Sequence, residues 1–171
     1  MNAEAILHNC KLFSRVTEPS RSNLLDMAVL QHFPSGTVIF RQGERCPGLF
    51  LVGSGLVRIF ALSALGKQQI LHQINPGDTF AEVATIGQFA CPAFAEAVFD
   101  TDCLLLPYNP FQHALRQDHQ LCIALLADWR RGCISFLNWS RTLRYVMRQA
   151  GSRGLCSMRR ISTAIGYYYR D

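Results

Sequence analysis

The sequence has 171 residues, of which 49% are hydrophobic. This length suits one ordinary domain with a real core plus an appendage, and it is too short for two full domains. No stretch approaches the roughly 20 uninterrupted apolar residues that a membrane span requires, and the N-terminus lacks the basic start of a secretory signal. We therefore expect a cytoplasmic protein with no membrane partner.

The net charge of +5 conceals an asymmetry along the chain. Residues 1–128 carry eight Lys and Arg against eleven Asp and Glu, whereas residues 129–171 carry nine against one. A basic C-terminal segment on an acidic body suggests contact with nucleic acid, but a solvated helix face and tail would give the same count. Charge alone leaves both interpretations open.

The seven cysteines are scattered, and none forms a C-x-x-C pair. This spacing argues against a zinc site and against a secreted disulfide framework. An iron–sulfur cluster needs several thiolates close together, and the N-terminal region offers only Cys10. We expect reduced and mostly buried thiols.

The first predicted element is a helix that follows a turn and cap at 19–22. Leu25, Ala28, Val29 and His32 then fall on one helical face. After residue 36 the pattern changes to short runs rich in β-branched and aromatic residues, each bounded by Gly, Ser or Pro. These predicted strands are 37–40, 49–52, 56–62, 68–74, 93–99 and 102–106. Their spacing indicates an antiparallel sandwich or barrel rather than a parallel sheet.

Helical periodicity returns at Asn109, where Asn109 can cap a helix and Pro110 suits its first position. A long helix is predicted over 120–149, with an apolar stripe in heptad spacing. One seam position holds Cys122, Trp129, Phe136 and Leu143, and the other holds Leu126, Cys133, Ser140 and Met147. Because arginines flank this stripe, we favour a homodimer through residues 120–148 over packing on the chain's own barrel.

Several motifs follow one another in an ordered series. They are FRQGE at 40–44, the strand and glycine corner at 49–55, LVRI at 56–59, the Gly-Lys turn at 66–67 and PGDTFAE at 76–82. Tight β-roll corners demand positive φ, which glycine adopts at little cost. On these motifs the sequence resembles the Crp/Fnr family of transcription regulators over about residues 6–148.

The resemblance implies an α+β fold, with an antiparallel β-roll of the cyclic-nucleotide-binding (double-stranded β-helix, or jelly-roll) type, an N-terminal helix and a long C-terminal dimerisation helix. It divides the chain into an effector-sensing domain at 1–108, a dimerisation helix region at 109–149 and a basic tail at 150–171. Family members continue into a DNA-binding winged helix-turn-helix, which the tail is too short to supply. Three explanations stay open: a truncated or frame-shifted product, a domain fragment, or a standalone sensor.

The resemblance also implies an effector pocket between the roll and the long helix. Residues 80–84 (Phe80, Ala81, Glu82, Val83 and Ala84) would be the phosphate-binding cassette, in which the Glu82 carboxylate accepts from a ribose hydroxyl. The arginine that pairs with the cyclic phosphate in such sites is replaced here by Cys91, and its Ser/Thr neighbour by Pro92. Neither residue can supply a guanidinium, and Pro92 has no N–H.

The polar pair that would meet adenine is replaced by Phe136 and Leu137, which offer only apolar surface. These departures argue against cyclic AMP and favour an apolar or planar ligand in a pocket lined by Phe80, Phe94, Phe136 and Leu137. The FRQGE and FAE stretches are most similar to regulators of dissimilatory nitrate respiration, which implies haem binding and nitric-oxide sensing. The iron ligand candidates are His8, Cys10, His72 and Cys133.

Two other functional classes were compared with a DNA-binding regulator. A cupin-like metal enzyme would need clustered ligands, whereas His72 is isolated and Glu82 follows ten residues later without a partner histidine. A standalone ligand-binding module that acts through protein partners would use the same fold. We expect no enzymatic activity.

Overall fold

The computed structural model describes residues 2–62 and 67–127. Its helices are α1 (Ala3–Asn9), α2 (Ser20–Met27), α3 (Glu82–Gly87) and α4 (Tyr108–Gln117), with a 3₁₀ turn at Lys11–Phe13. The strands are β1 (Val29–Phe33), β2 (Val38–Phe40), β3 (Gly48–Ser54), β4 (Val57–Leu62), β5 (Gln68–Ile74), β6 (Thr79–Phe80), β7 (Phe94–Ala97) and β8 (Thr101–Pro107). Residues 119–127 are also helical.

The strands form two antiparallel four-stranded sheets with the orders β1-β8-β3-β6 and β2-β7-β4-β5. This arrangement confirms the predicted antiparallel β-roll. Five of the described glycines have positive φ, and Gly55, at +82°, shows why a glycine is required. A Cβ there would lie 2.4 Å from the carbonyl oxygen of Asp100, so the β3–β4 corner admits no side chain.

Strands β3 and β8 are buried on both faces and separate two apolar cores. Leu49, Leu51, Leu104 and Leu106 point toward the helices, where they pack in one cluster with residues of α1, α2, α4 and 119–127. The alternate residues of the same strands point between the sheets. Because side chains alternate along a strand, these two strands position the roll against its helices.

The prediction that Val29 and His32 continue the helical face of α2 is wrong. Both lie in β1, whose five residues pair with β8. The His32 Nδ1 atom lies 2.7 Å from Asp102 Oδ1 across this pair. Partner strand β8 satisfies the backbone hydrogen bonds of this segment, and such tertiary pairing overrides a short helical periodicity.

The C-terminal helices differ in detail from the prediction. Helix α4 begins at Tyr108, so Asn109 lies inside its first turn and is not its cap. Asp118 caps the N-terminus of the helix at 119–127, since its Oδ1 accepts a hydrogen bond from the N–H of Leu121 at 2.9 Å. The remainder of the predicted 120–149 helix and the 150–171 tail lie outside the described residues. Within the described ranges, no helix is long and apolar enough to cross a membrane.

Candidate functional site

A cavity of about 710 Å³ lies between the β-roll and the helical layer. This volume is within the usual range for small-molecule sites. Most of its wall is apolar. The β-roll and cassette contribute Phe40, Leu49, Ile59, His72, Gln73, Ile74, Gly77, Asp78, Thr79, Phe80, Ala81, Glu82, Val83, Ala84, Ile86, Pro92 and Ala93, and the helical layer contributes Lys11, Leu12, Ser14, Phe111 and Leu125.

The cassette turn is anchored by an aromatic stack. The Phe80 ring lies parallel to that of Phe50, with centroids 4.8 Å apart and an interplanar angle of 7°. Ala81 then adopts a left-handed conformation (φ +66°), which costs a non-glycine residue about 1 kcal/mol. Its carbonyl accepts hydrogen bonds from the N–H (2.9 Å) and hydroxyl (2.8 Å) of Thr85. This turn places Glu82 at the first position of α3, on the cavity wall.

The half-buried carboxylate of Glu82 forms no ion pair with any residue of the described ranges. Desolvation raises its pKa from an ordinary value of 4.5 to about 7. The negative charges of Asp78 and Cys46 act in the same direction, and a backbone hydrogen bond opposes them. Near neutral pH this group therefore exists as both acid and carboxylate.

The lysine on the described cavity wall forms an ion pair with a neighbouring aspartate. Lys11 is the one Lys or Arg among the described lining residues, and its Nζ lies 2.7 Å from Asp78 Oδ1. The same segment is tied to the roll through the Lys11 N–H, which donates to the Gly77 carbonyl at 3.1 Å. Within residues 2–62 and 67–127, no cation of the cavity wall therefore pairs with Glu82.

The predicted arginine position contains no group that could bind an anion. Pro92 lines the cavity without an N–H, whereas Cys91 is 1% exposed and does not line it. The Cys91 thiol instead packs in the same apolar core as Cys46, between the sheets. The neighbouring Cys46 thiol and burial raise the pKa of Cys91, which keeps it a neutral thiol.

Of the predicted site residues, the structure brings Phe80, Ala81, Glu82, Val83 and Pro92 together on the cavity wall. His72 joins them from β5, where it pairs in register with Ile59. Burial lowers the pKa of His72, so its imidazole is neutral at neutral pH. A neutral imidazole can ligate a metal.

Other predicted site residues are not part of this wall. Phe94 is a correction: it points from the opposite face of β7 and stacks on Phe60 at 5.1 Å, because the alternating alanines occupy the inner face. His8 is exposed at the end of α1, and Cys10 is buried in the helical core with its pKa raised to about 11 by desolvation. Phe136, Leu137 and Cys133 lie outside the described residues.

The part of the chain that the structure describes has no group of three or more His, Cys, Asp or Glu side chains able to hold a metal ion. The three described haem-ligand candidates are therefore not brought together. Only His72 contributes to the cavity.

Sequence reasoning missed two parts of the wall. Ile59 and Ile74 lie on the inner side of the β4–β5 hairpin, and the polar neighbours of Ile74, Gln73 and Asn75, were a local signal that its side chain points inward. Leu12, Phe111 and Leu125 come from three helical segments far apart in sequence. No local pattern reveals that such segments meet, because their juxtaposition depends on tertiary packing.

The characteristic sequence pattern of the cyclic nucleotide-binding domain matches residues 30–118, slightly more than half of the chain. The chain belongs to this family. Cyclic nucleotide-binding domains of Crp/Fnr-type regulators are close to this one, which confirms the resemblance seen in the motifs.

Three relatives illustrate the likeness. The chain is 38% identical over 132 residues to the cyclic AMP receptor protein of Thermus thermophilus, covering 72% of this chain and 61% of that protein. The crystal structure of DNR from Pseudomonas aeruginosa matches with a TM-score of 0.67 and 27% identity, covering 81% of this chain and 61% of the other. The sensor domain of DNR alone matches with a TM-score of 0.63 and 26% identity, covering 75% of this chain and 91% of that domain. The chain thus spans about three fifths of the full-length regulators.

The raised pKa of Glu82 predicts a pH-dependent stability. Between pH 4.5 and about 7, folded Glu82 retains a proton that the unfolded chain has lost, so the free energy of unfolding falls as pH rises through this window. Glu82→Gln removes that contribution. Urea unfolding of both proteins across the window should show the variant gaining stability relative to the wild type as pH increases. A pH-independent difference would contradict the assignment.

Proposed function

We propose that this cyclic nucleotide-binding domain is the effector-sensing part of a Crp/Fnr-type transcription regulator, and that its effector is an apolar molecule without a phosphate. The observation that carries the proposal is the charge of the cavity wall. Among the residues that the structure describes, Glu82 has no cationic partner on this wall, and Pro92 lines the cavity at the position next to the one where the resemblance expects an arginine. The proposal is for ligand binding rather than catalysis.

Electrostatics support the exclusion of a cyclic nucleotide. At an effective dielectric constant of about 20, a phosphate about 5 Å from an ionised carboxylate is repelled by roughly 3 kcal/mol. In a cationic site an arginine fork would offset this cost, but Lys11 is already paired with Asp78. The apolar remainder of the wall instead favours a ligand that binds through buried hydrocarbon or aromatic surface.

We also propose that the chain dimerises through residues 120–148. The described start of this segment supports the proposal, because Leu121 and Leu125 are buried in the domain core while Ile123 and Leu126 are 50% and 65% exposed. Exposed apolar residues three apart lie on one helix face and can meet the same face of a second copy.

DNA recognition is proposed for a full-length form of the regulator. The support is the nine arginines of residues 129–171, which would attract phosphates without sequence preference.

The domain division follows the same proposal: sensing by 1–108, dimerisation by 109–149 and a basic tail at 150–171. Standalone action through protein partners is the alternative.

Haem is the second ligand candidate, and His72 is the observation that favours it. Haem would supply an iron able to bind nitric oxide, and a neutral imidazole on an apolar wall could hold that iron. In this role His72 would bind the iron, and the apolar residues of the wall would exclude water. His8 and Cys10 do not line the cavity, so we do not propose them as ligands of the iron.

A neutral fluorescent probe tests the main proposal. N-phenyl-1-naphthylamine should bind in the cavity, and cyclic AMP should not displace it at concentrations up to about 1 mM, the range of very weak affinity. Ile74→Glu adds a charge to the wall and should weaken probe binding, whereas Ile70→Glu, at a 52% exposed position of the same strand, should not. Displacement by micromolar cyclic AMP would overturn the proposal.

Visible spectroscopy tests the haem candidate. Chain purified from haem-supplied cells should show a Soret band that shifts when nitric oxide is added under reducing conditions. His72→Ala should lose the band, and His8→Ala should retain it because His8 is exposed and outside the cavity. No Soret band in the wild type, or an equal band in both variants, would dismiss His72 as ligand.

A further inference from the structure

The described cavity wall carries an unbalanced negative charge. Its ionisable side chains are Lys11, His72, Asp78 and Glu82. Lys11 and Asp78 neutralise each other, since Lys11 Nζ lies 2.7 Å from Asp78 Oδ1. Burial lowers the pKa of His72, which keeps its imidazole neutral at neutral pH. The described wall therefore has a net charge of −1 whenever Glu82 is ionised, and that charge lies on one carboxylate.

Folding has already removed this carboxylate from much of its water. The left-handed turn at Ala81 places Glu82 at the first position of α3, where Val83 and Ile86 of the same helix also line the cavity. No cation of the described residues offsets the loss of hydration. Because the carboxylate is desolvated on folding, a cationic ligand that pairs with it has to lose only its own hydration.

We propose that the ligand of this cavity is an apolar molecule with a basic amine, whose protonated nitrogen pairs with the Glu82 carboxylate. The inference rests on the proposed function and names the chemical class of the effector. The hydrocarbon or aromatic body of the ligand would lie on the apolar wall, which includes Ile59 and Ile74. An ammonium group has three N–H donors, and the Thr79 hydroxyl and the neutral His72 imidazole line the same cavity as further acceptors.

An uncharged alcohol of the same shape would gain less from this wall. Its hydroxyl can donate one hydrogen bond to Glu82, whereas an ammonium adds the attraction between opposite charges, which is strong where water is excluded. The expected order of affinity is therefore amine, then alcohol, then anion.

Amine binding is coupled to the protonation of Glu82. Near pH 7 about half of the Glu82 side chains carry a proton, and the ion pair requires the ionised form. Binding of the amine at pH 7 therefore releases about half a proton per site to solvent. Since a cation lowers the pKa of Glu82, affinity for the amine should rise about tenfold from pH 6 to pH 8, as the ionised fraction grows.

Other titratable groups interact electrostatically with Glu82 or share its cavity wall. They come from the N-terminal segment, the loop before β3, strand β5 and the turn before β6, and they are Cys10, Lys11, Cys46, His72 and Asp78. All of them are retained in Glu82→Gln. A pH dependence that is lost in this variant therefore belongs to Glu82.

Calorimetric titration of the full chain with two matched ligands tests the inference. 1-Naphthylmethylamine and 1-naphthalenemethanol share one aromatic framework and differ in an ammonium against a hydroxyl group. At pH 8 the amine should bind at least about tenfold more tightly than the alcohol, and this preference should fall about tenfold by pH 6. Titrations at pH 7 in buffers of different ionisation enthalpy should show proton release with the amine and none with the alcohol.

Two variants of equal charge change provide the comparison. Glu82→Gln keeps the shape of the side chain and removes its charge, so it should lose most of the preference, its pH dependence and the proton release. Asp26→Asn removes one negative charge from an exposed position of α2 outside the cavity, and it should keep all three. The pH dependence and proton release of the wild type test the inference by themselves if Glu82→Gln fails to fold.

The outcomes separate this inference from the function on which it rests. Binding of uncharged N-phenyl-1-naphthylamine, with no preference for the naphthylmethylamine over the alcohol at pH 8, overturns the inference and leaves the proposed function standing. A preference that persists unchanged in Glu82→Gln also overturns it. If none of these ligands binds, the proposed function fails and the inference fails with it.

Discussion

The stacking of Phe80 on Phe50 is the interaction on which the site depends most. Phe50 belongs to β3, whose two faces contribute to both apolar cores, so the stack fixes the cassette to the most buried part of the roll. The strained Ala81 turn persists because Thr85 satisfies its carbonyl twice. As a result Glu82 is directed into the cavity by a rigid support rather than by a free loop.

The fold is that of the cyclic nucleotide-binding domain, but we propose that the charges of the described cavity wall do not suit a cyclic nucleotide. A buried carboxylate beside an anion is costly unless a cation shares the site. Here Lys11 pairs with Asp78, and the segment that would supply an arginine has Pro92 on the cavity wall and the buried, neutral thiol of Cys91. The same backbone scaffold can therefore present a different ligand class, because specificity depends on few polar groups placed on a shared fold.

Local patterns were sufficient for most of the roll and insufficient for its edges. The strand β5 was predicted with its observed bounds, since alternation and flanking turn residues are local signals. The edge strand β1 was missed because only its partner β8 makes it a strand. Phe94 is predicted in the pocket because it is apolar, but Ala95 and Ala97 occupy the inner face of β7 and Phe94 stacks on Phe60. The pairing of Gly43 and Glu44 with Cys91 had no sequence signal, because it joins two loops that are adjacent only in the folded chain.

We propose that the cavity rejects an anionic ligand because the Glu82 carboxylate has no cationic partner among the described residues. The most direct measurement compares two fluorescent ligands that share one aromatic framework, neutral N-phenyl-1-naphthylamine and its sulfonate, 8-anilinonaphthalene-1-sulfonate. The neutral ligand should bind at least about tenfold more tightly at pH 8, a difference of about 1.4 kcal/mol, and Glu82→Gln should reduce that ratio. Equal or tighter binding of the sulfonate to the wild type, unchanged in the variant, would contradict the account.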